Sequence, residues 1–360
     1  MIPFGFPSYG FYIKLLLSLL AGIALLGCLI ALACSRQCRL RVAAHPWRSL
    51  LLMAVLVICS FKFVQFRYAM WRIEQDYDKQ QAALHITLSA PQTLGGIAMP
   101  SGSRLRLSQQ DKPDSYTEAW FDTPATLAGL SITHVKRYLS PTYNTDKQAG
   151  EPHAHTLNAW GPGVQTIAGW SCDTTQQLEF DIPDGSTTPE FLMCQLAAGN
   201  QADGIDIPPG STVQARNGIT YTDGHVEPLR WYVSVADDAP PLSVQGIPLR
   251  HAGLQLDEHH RISSVSGNAE LAHALQLGPI SYPAGTLVQT LAYPKNRQHP
   301  NALVFSPAND QPAQHEDGRT IADGMSVIQQ HDGTVLDIVS NAQAGITRFL
   351  SIEVDDASLN

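Results

Sequence analysis

The chain has 360 residues, is 44% hydrophobic and carries a formal net charge of −9. This length accommodates a membrane segment together with one large or two ordinary soluble domains. The charge is unequally divided, because residues 1–66 hold six of the 23 basic side chains and no acid, which leaves 17 basic and 32 acidic side chains, a net −15, for the remainder. An acidic domain repels nucleic acid and anionic lipid surfaces, which excludes a nucleic-acid partner. The charge suits a basic protein partner, but plain solubility is the favoured explanation.

The first predicted element is a membrane-spanning helix at residues 15–33, an apolar run without a charge. A helix of about 20 apolar residues crosses the hydrocarbon core of a bilayer. Aromatic residues precede the run and suit the membrane interface. A secretory signal peptide fits less well, because the first thirteen residues carry no basic side chain and no A-x-A cleavage site follows.

A second apolar run predicts a second span at residues 49–66, which requires the Lys62 side chain to reach the interface. With the basic loop 34–48, the two spans make a membrane hairpin over residues 1–66. A re-entrant or interfacial helix is the alternative for the second run. The following charged and aromatic residues predict a helical linker at 67–84.

The orientation of the hairpin is predicted from the arginines of its loop, which are Arg36, Arg39, Arg41 and Arg48. Basic loops are retained in the cytoplasm, so the large domain is expected outside the cytosol. Basic residues beyond the second span oppose this orientation, namely Arg67, Arg72 and Lys79. The chain has no N-x-[ST] sequon, which favours a bacterial periplasm over a eukaryotic secretory lumen. We therefore expect a bacterial inner-membrane protein with a periplasmic domain.

Residues 85–360 predict a β-rich domain, because short alternating apolar stretches lie between clusters of Gly, Pro, Asn and Asp. One helix is predicted at 268–277, where Asn268 caps an apolar periodic segment. Mobile loops are predicted at 147–162 and 307–317, which are rich in Gly, Pro and polar residues.

Two recurring turn patterns predict internal repeats in this domain. The first places proline and glycine between two apolar strands, with the structural turn residues Pro100, Gly102, Pro183, Gly185, Pro209, Gly210, Pro283 and Gly285. We expect proline to fix φ at the second turn position and glycine to adopt the conformation that other residues avoid. The second pattern, apolar-x-Gly-apolar, occurs at 127–130, 167–170 and 244–247, with a looser copy at 321–325.

From these patterns we infer a degenerate repeat that starts near residues 93, 201 and 278, with 150–200 as an insertion or partial copy. Glycine-marked corners between short strands favour a β-solenoid or β-roll, including a parallel β-helix. Turns every 8–12 residues also suit a tandem β-sandwich, which is the alternative fold. The predicted fold is thus a mainly β soluble domain preceded by an N-terminal two-helix transmembrane hairpin.

Six cysteines divide between the apolar runs and the domain. Cys172 and Cys194 are a candidate disulfide if the domain lies outside the cytosol, and two buried thiols are the alternative. Cys172 follows Gly-Trp-Ser, but the second glycine of a G-x-S-x-G nucleophile motif is missing.

Metal and acid–base chemistry has two weak candidates. His153 and His155 would share one face of a strand, but a metal site needs further ligands that the sequence does not identify, so a solvated loop is favoured. The stretch 257–260 reads Asp-Glu-His-His and is better explained as a hairpin turn than as an acid–base site. We therefore predict no metal and no cofactor, and the catalytic residues, if any, are unknown.

Three functional hypotheses follow. The first is a non-enzymatic periplasmic binding protein tethered to the inner membrane, of which an immunity protein against an envelope-targeting toxin is one version. The second is an envelope enzyme that acts on glycan or lipid through a groove of Asp, Glu and His side chains. The third is a structural component of a membrane complex, although the small residues of the first span fit ordinary lipid-facing composition better.

Overall fold

The computed structural model describes residues 9–140, 153–183, 186, 188–308 and 310–346. The Lys62 side chain, on which the predicted second span depends, lies outside the described part. The chain divides into two compact units, residues 1–85 and residues 86–360. The first unit is helical, and the second is mainly β.

The helices of the first unit are α1 (Tyr9–Cys34), α2 (Arg36–Ala44) and α3 (Pro46–Ala83). Both α1 and α3 are long and apolar enough to cross a membrane. The basic segment predicted as a loop instead contains α2, whose first turn is capped where the Ser35 hydroxyl accepts a hydrogen bond from the Cys38 amide. Pro46 stands in the first turn of α3, where its missing N–H costs nothing.

Helices α1 and α3 approach each other closely at Ser18. The Ser18 hydroxyl donates to the Cys59 carbonyl at 2.6 Å and accepts from the Phe63 amide at 2.8 Å. One turn along α1, a Cβ built on Gly22 would lie 3.7 Å from the Cβ of Ser60. Small residues that allow two backbones to approach are typical of helix pairs in membranes. Of the small residues noted in the first span, Gly22 thus faces α3.

The strands that follow the helices are short. They are β1 (His85–Thr87), β2 (Gln92–Leu94), β3 (Ile97–Met99), β4 (Arg104–Leu107), β5 (Tyr116–Leu127), β6 (Leu130–Ser140), β7 (His153–Trp160), β8 (Val164–Ile167), β9 (Trp170–Asp173), β10 (Leu178–Asp181), β11 (Glu190–Gln195), β12 (Gln201–Ala202), β13 (Ile205–Asp206), β14 (Thr212–Ala215), β15 (Ile219–Thr220), β16 (Val226–Glu227), β17 (Trp231–Ser234), β18 (Leu242–Val244), β19 (Ile247–Arg250), β20 (Gly253–Leu256), β21 (Ile262–Ser266), β22 (Glu270–Leu271), β23 (Leu275–Leu277), β24 (Ile280–Tyr282), β25 (Leu287–Thr290), β26 (Leu303–Ser306), β27 (Ala313–His315), β28 (Thr320–Ile321), β29 (Met325–Gln329) and β30 (Val335–Ser340). A short capped helix, α4 (Asn341–Ala344), ends the described part.

Hydrogen-bonded neighbours in the two largest sheets follow the order of the sequence. The main path of the 13-stranded sheet is β1-β4-β5-β6-β7-β10-β11-β14-β17-β20-β21, and a seven-stranded sheet runs β18-β19-β22-β25-β26-β29-β30. The strands between these positions form small hairpins such as β8–β9 and β12–β13. Buried and exposed residues alternate along a strand, as in β4, where Leu105 and Leu107 are buried and Arg104 and Arg106 are exposed. Alternation of this kind places one face of a strand in the core. In the seven-stranded sheet both faces are covered at β26 and β29, where residues 303–306 and 326–329 are all buried.

All four predicted proline–glycine turns share one hydrogen bond, in which the amide of a Ser or Thr donates to the carbonyl of the proline three residues earlier, in the pairs Ser103–Pro100, Ser186–Pro183, Ser211–Pro208 and Thr286–Pro283. Three of them share a second bond, from the glycine amide to the carbonyl of a leucine, in the pairs Gly102–Leu88, Gly210–Leu196 and Gly285–Leu271. Proline thus stands at the first turn position rather than the predicted second position; only the third turn adds a proline, Pro209, at the second. The glycines Gly102, Gly210 and Gly285 all have positive φ. Gly185 of the fourth turn lies outside the described residues.

The apolar-x-Gly-apolar pattern marks tight hairpin turns with two residues at positive φ. Ala128 and Gly129 have φ of 49° and 84°, and the values are close to these at residues 168–169 (51° and 86°) and 245–246 (52° and 84°). Two successive positive φ angles define a type I′ turn, whose twist matches that of paired strands. The structure adds two further turns of this kind, at 95–96, where Leu94 and Ile97 flank two glycines and fit the pattern, and at 203–204, where Ala202 precedes the turn.

Other predictions for the β unit are corrected by the structure. The helix predicted at 268–277 is wrong, because these residues form β22 and β23, in which Leu271 is fully buried. The loop predicted at 147–162 is wrong for β7, which pairs with β6 and β10, while 147–152 lie outside the described residues. The second predicted loop, 307–317, contains β27. Strand pairs such as β5–β6 and β17–β20 are antiparallel, so the parallel β-helix is also wrong.

Candidate ligand-binding site

The two cysteines of the β unit are joined. The sulfurs of Cys172 and Cys194 are 2.03 Å apart and both side chains are buried. Cys172 lies on β9, in one of the small hairpins, and Cys194 lies on β11 of the large sheet. Because Cys172 is bonded, it has no thiol to serve as a nucleophile. The adjacent Ser171 is held through its backbone, which both donates to and accepts from the Asn200 side-chain amide at 2.8 Å.

The H-x-H pair lies on strand β7. His153 is half-buried and His155 is exposed, and the Nδ1 atom of His155 is 3.0 Å from the Ser140 hydroxyl on β6. Among the described residues, no three His, Cys, Asp or Glu side chains come close enough together to hold a metal ion. Glu151, the neighbouring acid in the sequence, lies outside the described part.

The Asp-Glu-His-His stretch forms the turn between β20 and β21, as predicted. One carboxylate oxygen of Asp257 accepts hydrogen bonds from the amides of His259 and Arg261, at 2.8 Å and 3.0 Å. His260 leaves the turn and stacks on the ring of Trp170, with the ring centroids 4.0 Å apart. Burial lowers the pKa of His260, and the charge of Asp257 opposes that shift. The acid and this histidine therefore have structural roles in the turn.

A cavity of about 320 Å³ lies elsewhere in the β unit, beside the small hairpin β15–β16. Its other walls come from β20, β21, β25 and the segment 291–296. Strands β21 and β25 belong to different sheets and are linked where the Val265 amide donates to the Thr290 hydroxyl at 2.8 Å. We name this cavity the polar pocket. Its principal polar and aromatic lining residues are Tyr221, Glu227, Gln255, Ser263, Ser264, Ser266, Gln289, Thr290, Tyr293 and Asn296.

The hairpin that forms one wall is shaped by an Asp-Gly turn. The Asp223 carboxylate accepts from the His225 amide at 3.1 Å, and Gly224 takes a φ of 85° that a residue with a side chain rarely adopts. The Tyr221 amide donates to the His225 carbonyl at 2.8 Å and closes the turn, after which the chain continues into β16. This turn positions Tyr221 and Glu227 at the pocket.

Three aromatic rings stack at the same wall. The Tyr293 ring lies 4.2 Å from Tyr221 and 4.4 Å from His225, measured between ring centroids. The Tyr293 hydroxyl donates to Asp223, and this hydrogen bond lowers the pKa of Asp223 and raises that of Tyr293. Burial, followed by the Glu227 carboxylate, raises the pKa of Tyr221. Both tyrosines therefore stay protonated at neutral pH, and each gives its hydroxyl hydrogen to a neighbouring carboxylate, Tyr293 to Asp223 and Tyr221 to Glu227.

Uncommitted hydrogen-bonding groups line the pocket. The Ser266 hydroxyl is buried and has no partner among the described residues. The Gln255 side-chain oxygen accepts from Ser264 at 2.6 Å, which leaves the amide nitrogen of Gln255 to donate to a ligand. The Ser266 oxygen is shielded from solvent, so a ligand in the pocket does not reach it unless this wall moves.

The pocket is equipped to bind a polar ligand. Glu227 is the one charged side chain that lines it within the described residues. Hydrolysis by paired carboxylates needs a second acid about 5–9.5 Å away on the other side of the substrate, and the described lining supplies none. None of the residues that form this pocket was singled out from the sequence, because they come from four segments separated by tens of residues.

Neither a protein-family model nor a curated protein matches this chain.

Proposed function

We propose that this protein is a non-enzymatic binding protein, anchored in a bacterial inner membrane, that presents its β unit in the periplasm. The observation that carries the proposal is the polar pocket, a ligand-sized cavity lined by polar and aromatic side chains, on a β unit that follows two apolar helices. Helices α1 and α3 would form the two spans, with the basic segment around α2 between them.

Two features support a domain outside the cytosol. The arginines of the segment between the helices favour its retention in the cytoplasm, which directs the ends of both helices to the opposite side. The bond between Cys172 and Cys194 is of a kind that persists in oxidising compartments such as the periplasm. Together these features favour the same orientation by independent physical arguments.

The acidic charge of the β unit favours a basic protein as a second partner. Charge complementarity speeds association and selects partners, and residues 67–360 carry a net −15, from 17 basic and 32 acidic side chains. An immunity protein against an envelope-targeting toxin is one version of this function. An enzyme acting on envelope glycan or lipid remains the alternative, and a second carboxylate brought to Glu227 by the substrate-bound conformation would favour it.

A structural role in a membrane complex is the third hypothesis. The contacts of Ser18 and Gly22 with α3 use small residues of α1 within the chain itself. Contacts of this kind within the chain favour a role of the two helices as a membrane anchor over a role as a binding surface for other membrane proteins.

We also propose that the β unit is repetitive, with starts near residues 93, 201 and 278. The shared hydrogen bonds of the turns that begin at Pro100, Pro208 and Pro283 support this proposal. A solenoid-like arrangement or a tandem sandwich are the two architectures to be distinguished.

Orientation is the most direct test of the proposed function. An epitope fused at residue 360 is expected to be digested by protease added to spheroplasts, while an epitope between α2 and α3 is expected to be protected. Capture of a stable protein partner from envelope extracts tests the binding role. Protection of the epitope at residue 360 would overturn the periplasmic location and the proposed function with it.

A further inference from the structure

We propose that the polar pocket binds a neutral saccharide of one or two sugar rings. This inference rests on the proposed function, because it names the ligand class of the pocket that carries that proposal. It is argued from the charge of the lining, its hydrogen-bonding groups, its aromatic rings and its size.

The charge of the lining selects against ions. Glu227 repels anions such as phosphate and carboxylate, and the described lining itself has no Lys or Arg. The nearby Arg297 lies at the Tyr293 hydroxyl, where the Asp223 carboxylate offsets its charge. A metal cation would need several oxygen or nitrogen ligands at short distance, whereas the described residues contain no such cluster. A neutral ligand with many hydroxyl groups is not repelled by Glu227 and needs no cluster of metal ligands.

The hydrogen-bonding groups of the lining match hydroxyl groups, which both donate and accept. Glu227 accepts, the amide nitrogen of Gln255 donates, and the Gln289 side-chain amide does both. Neighbouring hydroxyls on a sugar ring present alternating donors and acceptors a few ångströms apart. An apolar lipid chain would leave these groups buried without partners, at a cost of about 1–3 kcal/mol for each group.

The aromatic rings provide the apolar contact that a sugar also needs. One face of a pyranose carries mainly C–H groups, which carry partial positive charge and pack against the negative face of an aromatic ring. Tyr221 and Tyr293 line the pocket and keep their hydroxyls protonated, as their raised pKa values indicate. The rings therefore lie at the same wall as Glu227, whose carboxylate accepts hydrogen bonds from hydroxyl groups.

The size of the pocket limits the ligand. Its volume of about 320 Å³ is at the lower end of the roughly 300–1,000 Å³ found for small-molecule sites. A longer glycan would occupy the pocket with one or two rings and continue outside it.

The test uses the full chain in micelles of a phosphocholine detergent, because sugar-headed detergents would compete for the site. Chitobiose and maltose are the neutral probes, glucose 6-phosphate is the anionic probe, and binding is measured by saturation-transfer NMR and calorimetry. We expect at least one neutral probe to bind with a Kd on the order of 1 mM or tighter, and the anionic probe to bind at least about tenfold more weakly because of Glu227.

Matched variants locate the binding. Gln289→Ala and Tyr293→Ala are expected to weaken the neutral probe at least about fivefold, each by removing one wall group. Gln314→Ala on β27 and Tyr138→Ala on β6 remove the same side-chain types at exposed positions away from the pocket and are expected to leave the Kd unchanged. Tryptophan fluorescence melts show that each variant is folded.

The outcomes separate this inference from the proposed function. No binding of either neutral probe by the folded chain, or binding that Gln289→Ala and Tyr293→Ala leave unchanged, overturns the saccharide site. In either case a partner captured from envelope extracts and a protease-sensitive residue 360 would still support the proposed function. A cytosolic β unit that nevertheless binds the probe through Gln289 would overturn the proposed function and leave the saccharide site standing.

Discussion

The side-chain amide of Gln165 forms a two-way pair with the backbone of Ser131: its oxygen accepts from the Ser131 amide at 2.7 Å and its nitrogen donates to the Ser131 carbonyl at 2.8 Å. The same nitrogen donates to the Thr174 hydroxyl at 3.0 Å. At Ser131, the side chain of Gln165 on the small hairpin β8–β9 thus makes the hydrogen bonds that a neighbouring strand would otherwise make with β6. The Asn200 amide pairs with Ser171 in the same way.

Replacing Gln165 by alanine is expected to lower the free energy of unfolding by about 1–3 kcal/mol, because the partly buried amide and carbonyl of Ser131 lose their partners. Urea unfolding followed by tryptophan fluorescence measures the change. Gln201→Ala is the control, since the exposed Gln201 amide bonds to the exposed Asp206 side chain, and we expect a change below about 0.5 kcal/mol. Equal losses in the two variants would contradict the role assigned to Gln165.

The disulfide is expected to stabilise the β unit. Replacing Cys172 and Cys194 together by alanine should cost on the order of 3 kcal/mol, since the bond closes a loop between residues 22 positions apart. Differential alkylation followed by mass spectrometry on protein from its native membrane should find both residues oxidised. Cys34→Ala, at an exposed free cysteine of α1, is the control. Alkylation of both Cys172 and Cys194 without prior reduction would show that they are thiols in the cell.

Gly333 is expected to tolerate no side chain. A Cβ at Gly333 would lie 2.7 Å from the backbone nitrogen and Cα of Gly278, and its φ is 90°. Gly318 has nearly the same φ, 89°, but its Cβ would meet nothing within 4 Å. Gly318→Ala should therefore cost about 1 kcal/mol of backbone strain, and Gly333→Ala at least about 2 kcal/mol more from the steric clash. Thermal unfolding of the two variants measures the difference, and similar melting temperatures would refute the close backbone contact.

Helices α1 and α3 are expected to form a disulfide when Gly22 and Ser60 are both changed to cysteine in a background without the native cysteines of the first unit. The Cβ separation of 3.7 Å lies within the range of about 3.5–4.5 Å for disulfides. Gly27→Cys with Ser60→Cys is the negative control, because a Cβ at Gly27 meets nothing within 4 Å. Intramolecular cross-linking in membranes is read from gel mobility after protease cleavage between the helices. Failure of the first pair to cross-link would exclude this helix contact.

The stability of the β unit is expected to fall as the pH falls from about 7 to 5. Burial lowers the pKa of His134, His260 and His331 below the ordinary value of 6.5. In this interval the histidines of the unfolded chain take up protons that those of the folded chain do not. The three histidines therefore contribute fully to the free energy of unfolding above pH 6.5, and this contribution is lost as the pH falls through their lower pKa values in the folded chain. Melting temperatures at pH 5, 6 and 7.5 measure the trend.

His134 is the histidine to change in this experiment. Its ring lies between Trp120 and Trp160, at centroid distances of 5.3 Å and 4.6 Å. His134→Gln should flatten the dependence on pH, because glutamine does not titrate. If the melting temperature of the variant changes with pH as steeply as that of the unchanged protein, His134 does not contribute to the pH dependence of stability.

The helices and several turns could be predicted from the sequence because their signals are local. A long apolar run predicts a helix such as α1, and a Gly after an apolar-x pair predicts a tight turn such as that at Ala128. The turn at Asp203 was not predicted, because the residue before it is alanine where the predicted turns have Leu, Ile or Val. The helix predicted at 268–277 failed because Leu271 and its neighbours pair with β19 and β25, and these partners override local propensity.

The polar pocket could not be predicted, since no local pattern connects its residues. Tyr221 and Tyr293 meet only because the turn at Asp223 and the segment after β25 come together in the fold. The hydroxyl of Ser266 becomes notable only when its burial is known. Sites assembled from separate strands need the pairing of those strands before they can be recognised.

The order of the strands in the two large sheets has a consequence for folding during synthesis. Each strand on the main path lies beside the strand that precedes it, apart from the small hairpin between them. A chain that emerges from the ribosome or from an export channel with its N-terminal end first can therefore add strands one after another, because the partner of each new strand is already outside. Low contact order of this kind speeds folding and shortens the time during which an unpaired edge is exposed to aggregation.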